Sequence, residues 1–270
     1  MRHFFIFSIF FLFACSEQDQ SSEISVPTSE LEEDLRIEFQ RYRDEILDTR
    51  ELTIMLREGG YVYDPTLLHS VEMVDEYINS KEQALNIGVY AADLNYMTIF
   101  EQNKDNMVYA DAIFRLAEEL SISEAFDKEY LTELLKNNIP SYKLKSDELN
   151  DVFEQAKNEI NSSDRAQITA LIIAGSWVEG MYLSTSLAQE EWPNEEIAER
   201  MWHQCFSYHQ VLKMLKIYKD YPPCDVVYRK FLELEPAVTN ITETSVRTLK
   251  DHLLSYHGII LDLREFIIQN

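Results

Sequence analysis

The stretch Ala166–Glu190, AQITALIIAGSWVEGMYLSTSLAQE, decides the fold, because on a helical wheel it is apolar on nearly every side. A helix of this kind lies at the centre of a structure, where other helices cover all of its faces. Glu179 interrupts the apolar surface near the middle of the helix. The small and polar residues that share its side of the wheel are Gly175, Ser176 and Ser186.

Apolar residues recur every three or four positions along the rest of the chain as well. No segment alternates strictly between apolar and polar residues, so the predicted fold class is all-α, an antiparallel multi-helix bundle or array. Capping patterns and prolines set the bounds of the predicted helices. These helices lie near residues 30–57, 65–79, 81–103, 106–120, 123–137, 147–162, 164–190, 194–221, 225–234 and 240–268.

Two segments of the chain are similar to each other. Residues 84–96 and 170–182 align at a constant offset that pairs Asp93 with Glu179, and an Ile-Asn-Ser run precedes both. A duplicated helical hairpin explains this pairing, and so does chance similarity between two apolar helices. The sequence leaves both explanations open.

Asp93 and Glu179 are candidate functional residues, because each is an acid within an apolar helix. A buried carboxylate must find hydrogen-bond donors or take up a proton. If the two helices face each other, the acids approach closely and one has a raised pKa, which is the layout of an acid–base pair or a cation site. Alternatively, each acid accepts hydrogen bonds from a neighbouring helix and fixes the packing. The predicted lining of a ligand site consists of Asp93, Glu179, Tyr90, Tyr96, Tyr182 and His203.

The sequence lacks the common motifs of catalysis and metal binding. None of the six histidines follows a Glu by three residues, which excludes the di-iron carboxylate motif. There is no Gly-rich phosphate loop, no His-Glu-x-x-His and no Gly-x-Ser-x-Gly. We therefore predict no metal and no cofactor, and the sequence leaves open whether the chain is an enzyme.

The charge balance is strongly acidic, with 48 Asp and Glu against 24 Lys and Arg and a net charge of −24. Such a surface repels phosphate backbones, so we predict that the chain does not bind nucleic acid.

The amino terminus has the pattern of an export signal. Arg2 and His3 precede an apolar run, Phe4–Phe13, that is too short to cross about 30 Å of hydrocarbon as a helix. A run of this length after a positive charge is typical of a signal peptide, which we predict over residues 1–14.

The sequence Leu12-Phe13-Ala14-Cys15 resembles the lipobox of bacterial lipoproteins, and the tract Ser16-Glu17-Gln18-Asp19 is similar to the sorting tract of lipoproteins of the Bacteroidota. The mature part also resembles uncharacterised all-α lipoproteins of that group. The resemblance implies that Cys15 is acylated, with palmitate for example, and anchors the chain to the outer membrane on its periplasmic or cell-surface side. Because residues 16–28 are rich in Ser, Gln and acids, residues 15–28 are predicted to form the acylated Cys and a flexible tether, and residues 29–270 a single all-α domain.

The two remaining cysteines are predicted to stay apart. The predicted helix over 194–221 carries Cys205 about 24 Å from the helix end, and the few residues before Cys224 cannot span that distance. We therefore expect no disulfide between them.

Two functions fit these observations. The first is a lipid-anchored, non-enzymatic helical module that binds another envelope protein or a small ligand, with Asp93 and Glu179 fully enclosed. The second is a small-ligand-binding or enzymatic site between the duplicated helices, with Asp93 and Glu179 as its carboxylates. The second function requires a cavity that reaches both acids.

Overall fold

The computed structural model describes residues 28–137, 139–163, 165–190, 192–243 and 248–269. Cys15, the predicted signal peptide and the tether up to residue 27 lie outside these residues. The described chain is α-helical, with no strand in those ranges, and this confirms the predicted all-α class. The helices are α1 Thr28–Glu45, α2 Arg50–Glu58, α3 Ser80–Ile99, α4 Asn106–Glu119, α5 Lys128–Lys136, α6 Tyr142–Ser162, α7 Ala166–Glu190, α8 Glu195–Cys205, α9 Ser207–Ile217, α10 Pro222–Glu243 and α11 Leu249–Ile268.

The predicted helix over 30–57 is two helices, because the chain turns after α1. The carboxylate of Asp48 accepts a hydrogen bond from the backbone N–H of Arg50 at 2.9 Å, and the N–H of Leu47 donates to the Ser207 hydroxyl at 3.1 Å. Side chains thus bind the backbone groups that a continuous helix would pair internally.

The predicted helix over 65–79 was wrong. The structure has two short 3₁₀ helices there, Pro65–Leu67 and Val71–Glu76. The side chains of Asp64 and Ser70 each accept a hydrogen bond from a backbone N–H two residues later. Each cap begins a new turn, so no single helix runs through the segment. The predicted helix over 123–137 similarly contains a 3₁₀ turn, Ser123–Ala125, before α5.

The predicted helix over 194–221 breaks at Phe206, between α8 and α9. Pro236 was predicted to end a helix, but α10 continues through it. A proline clashes with the carbonyl four residues earlier, here that of Leu232, and both residues are exposed, so water can solvate the freed carbonyl.

The centre of the fold is a direct backbone contact between α3 and α7. A Cβ atom added at Gly88 would lie 2.1 Å from the carbonyl oxygen of Ile172, and one added at Gly175 would lie 2.0 Å from that of Leu85. Only residues without a side chain allow this approach. Nearly every residue of α3 is buried, and most residues of α7 are buried too, which confirms the central position that the sequence predicted for α7.

The internal similarity is visible in α3 and α7, while the segments that precede them differ. Tyr77 and Asn79 have extended backbone, and Asn79 forms the N-terminal capping box of α3 with Glu82. The corresponding residues 159–162 form the end of α6.

Cys205 and Cys224 are both buried free thiols. The Cys205 thiol donates to the carbonyl oxygen of Met201, and the Cys224 thiol donates to that of Gln167, each at 3.4 Å. Within the described ranges no helix is both long enough and apolar enough to cross a bilayer.

Candidate functional site

The two candidate acids meet where α3 and α7 pack together. Asp93 and Glu179 have no accessible surface, and their side chains lie within hydrogen-bonding reach of each other. Gly88 precedes Asp93 in α3, and Gly175 precedes Glu179 in α7. Because the glycines meet at one level and the acids at the next, α3 and α7 run in the same direction.

Glu179 forms a bidentate ion pair with Arg264 of α11. The Nε atom of Arg264 donates to one carboxylate oxygen at 2.7 Å, and Nη2 donates to the other at 2.9 Å. Nη2 also donates to the carbonyl oxygen of Leu67 at 3.3 Å, and the guanidinium carbon lies 3.9 Å from the centre of the Tyr182 ring. Arginine is suited to this position because its planar fork matches a carboxylate and stacks on an aromatic face.

The two acids of the pair differ in what shifts their pKa values. Burial and the negative charge of Glu179 raise the pKa of Asp93 well above its usual value. Burial also raises the pKa of Glu179, but the charge of Arg264, which contacts Glu179 directly, opposes that shift. A neutral Asp93 can accept the backbone N–H of His69 on Oδ2, at 3.1 Å, and donate its own proton to Glu179. This arrangement accounts for Oδ1 of Asp93, which otherwise has no hydrogen-bond partner among the described residues.

Three tyrosines hold the segment around His69 over the acid pair. The hydroxyl of Tyr90 donates to the carbonyl oxygen of Ser70 and that of Tyr109 to the carbonyl oxygen of His69, both at 3.0 Å. The hydroxyl oxygen of Tyr77 lies 2.5 Å from Nε2 of His69. Burial, with the nearby charge of Arg264, lowers the pKa of His69 to about 4, so its imidazole is neutral at pH 7. We call Asp93, Glu179, Arg264 and His69 the acid cluster.

The structure brings some of the predicted lining residues to this cluster and leaves others apart. Tyr90 is buried beside it, and Tyr182 lies under Arg264. Tyr96 points elsewhere, because its hydroxyl accepts the backbone N–H of Asp64 at 2.9 Å. His203 is exposed and joins none of the contacts of the cluster, because α8 turns its other face, with Ile197 and Met201, into the core.

Sequence reasoning missed two members of the cluster. Arg264 lies among the apolar residues near the end of α11, and matching its charge to the two acids within apolar helices could have found it. His69 contributes mainly its backbone N–H, and no sequence pattern marks such a role.

A cavity lies between α3, α6, α7 and the segment that joins α1 to α2. Its volume is about 350 Å³. Tyr96 and Ser176 line it, whereas neither acid does. The apolar part of its lining consists of Ile46, Leu47, Ile87, Ala91, Ala92, Ile99, Phe126, Phe153, Ile172, Ile173, Trp177, Gly180 and Leu183.

The cavity reaches the surface and gives solvent access to the two central helices. The side chains of Asp44 and Glu154, on its rim, are 59% and 40% exposed. Ala92 retains 9% exposure and Ile173 retains 7%, while Leu85 and Leu171 in the same helices retain none. A volume of this size suits a small molecule.

The described part of the chain contains no group of three or more His, Cys, Asp or Glu side chains placed to hold a metal ion. No protein-family model matches the chain, and comparisons with curated proteins and with solved structures gave no match.

Proposed function

We propose that this chain is a lipid-anchored helical module of the bacterial envelope that binds a small molecule without converting it. The observation that carries the proposal is the position of the cavity. It opens on α3 and α7, while Asp93 and Glu179 between the same helices have no accessible surface.

The acid cluster has the properties of a structural element. Glu179 and Arg264 neutralise each other, and the raised pKa of Asp93 favours the protonated carboxyl, which can donate to Glu179. A catalytic acid or base must come within about 3 Å of its substrate, and the cavity stops short of both carboxylates. The alternative, an enzymatic or ligand site that uses Asp93 and Glu179, needs an opening to them.

The anchor is the second part of the proposal and rests on the lipobox-like sequence that ends at Cys15. Several acyl chains, each worth about 0.8 kcal/mol per buried CH₂, would hold the chain on the membrane permanently. Labelled palmitate should appear on the wild-type chain in the envelope fraction, and Cys15→Ala should remove both the label and the membrane association. A wild-type chain that takes no label would refute the anchor.

The binding function can be tested on the chain extracted from its native membrane. Mass spectrometry under non-denaturing conditions should show a bound small molecule that is lost in Ala92→Phe, since the new ring fills the cavity. Asp93→Asn and Glu179→Gln should retain the molecule. Loss of the molecule in Asp93→Asn, with thermal stability unchanged, would favour the site at the acids instead.

A further inference from the structure

Two arginines contact α6 on either side of the α6 residues that line the cavity. At one end, Nη1 of Arg43 donates to Oδ1 of Asn158 at 2.9 Å. At the other end, Nη1 of Arg50 donates to the carbonyl oxygen of Ser146 at 3.0 Å. Ser146 and Asn158 are about 18 Å apart along the helix at 1.5 Å per residue. The two arginines therefore tie the α1–α2 segment to α6 at both ends and leave a long opening between them.

The charges of the rim already neutralise one another. Arg43 pairs with Asp44 at 3.3 Å and Arg50 pairs with Asp48 at 2.5 Å. Lys157 forms an ion pair with Glu154, the acid one turn before it on α6. Each cation is more buried than its acid, so the positive groups are held in place by partners that face the solvent.

Below the rim, apolar side chains and uncharged polar groups share the lining of the cavity. Ala91 and Ala92 come from α3, and Ile172 and Ile173 come from α7. Ser176 and Asn150 add a hydroxyl and an amide, both able to donate and to accept a hydrogen bond.

We infer that the cavity binds an uncharged, elongated small molecule with an alkyl or aromatic body and a hydrogen-bonding end. This inference rests on the proposed function and names the chemistry of its ligand. A charged end would enter a partly buried site in which every ionic partner is taken, and it would have to break an existing pair or stay unpaired. An anionic end would also meet the net charge of −24 on the approach to the protein.

A series of molecules with one body and three ends tests this inference. The full chain with Cys15→Ser, which carries no acyl chain of its own, is titrated by calorimetry at pH 7.5 with 1-octanol, octanoate and octylammonium. We expect 1-octanol to bind and both ions to bind at least about tenfold more weakly, since an unpaired charge loses its hydration. Ala92→Phe should abolish the binding of 1-octanol, and Ala237→Phe, at an exposed position of α10, should leave it unchanged.

Each other outcome has a definite meaning. If octanoate or octylammonium binds as tightly as 1-octanol, or more tightly, the inference of an uncharged ligand is wrong and the cavity remains a binding site. If none of the three probes binds, the inferred ligand chemistry is wrong, while the proposed binding function is refuted only if mass spectrometry of the native chain also shows no bound molecule. Should Ala92→Phe fail to fold, Asn150→Trp, at a partly buried position of α6, fills the cavity from its other side, and binding that survives it would place the octanol site elsewhere.

Discussion

The acid cluster and the cavity lie against the same two helices, and they differ in what fills the space. At the acid cluster, α11 and the 3₁₀ segment cover α3 and α7, and Arg264 occupies the gap. At the cavity, α3 contributes the small Ala91 and Ala92 among its lining residues, and a space of about 350 Å³ remains between α6 and the helix pair. The comparison teaches that charge within an apolar helix can mark a closed structural contact, while the accessible surface lies where the side chains are small.

The largest expected effect comes from a change that disturbs both regions at once. Gly175→Ala would place a Cβ 2.0 Å from the carbonyl oxygen of Leu85, so the central helices must move apart. We expect a loss of about 4 kcal/mol or more in the free energy of unfolding, measured by urea denaturation, because a rigid backbone cannot yield as a side chain does.

Gly258→Ala is the matched control for that variant. Gly258 lies in α11 with no atom within 4 Å of an added Cβ. Alanine should stabilise the helix there by up to about 1 kcal/mol. Equal effects of the two substitutions would mean that the α3–α7 contact is looser than described.

The second prediction concerns the acid cluster alone. Arg264→Met leaves the Glu179 carboxylate buried without its partner and should cost about 3 kcal/mol or more in the free energy of unfolding. Adding Glu179→Leu removes the stranded charge, so the double variant should recover most of the loss. Denaturation of the two single variants and the double variant gives the coupling between the residues. Additive losses would show that the ion pair is not the source of the effect.

The third prediction assigns the proton of the acid pair. Because the pKa of Asp93 is raised in the folded state, folding takes up a proton above the unfolded carboxyl pKa of about 4, and stability falls as the pH rises toward the raised pKa. Each pH unit in that window costs up to about 1.4 kcal/mol. Asn at position 93 mimics the protonated acid, since its oxygen can accept the His69 N–H and its amide can donate to Glu179.

Unfolding measured at pH 5, 6, 7 and 8 tests this assignment. We expect Asp93→Asn to gain stability relative to the wild type by about 1 to 2 kcal/mol as the pH rises, because it needs no proton. Asp111→Asn, at an exposed position of α4, should follow the wild type at every pH. Parallel curves for Asp93→Asn and the wild type would show that Asp93 is not the protonated acid.

The sequence predicted the regular parts of this fold well, because the apolar periodicity of α3, α4, α7 and α11 follows directly from what each helix buries. The helix prediction failed where a single side chain accepts a backbone N–H group and so competes with the hydrogen bonds of a continuous helix. Asp64 and Ser70 cap short turns in a segment with helical periodicity, and nothing in the spacing of apolar residues records that competition.

For the site, the sequence identified the two acids but could not show which faces of their helices are open. Ala91 and Ala92 look like ordinary core residues, and only the packing of α6 leaves a cavity beside them. The contribution of His69 was equally hidden, since a backbone N–H carries no side-chain signature.

The smallest expected effect compares two alanines of α3 on different sides of the helix. Ala92 lines the cavity, whereas Ala84 has no accessible surface and does not line it. Leucine at position 92 extends into open space and buries additional apolar surface, so the free energy of unfolding should change by less than about 1 kcal/mol. Leucine at position 84 must push against close-packed atoms and should cost about 1 to 3 kcal/mol. Urea denaturation of both variants measures the difference, and a cost at position 92 that equals the cost at position 84 would mean that the cavity is closed in solution.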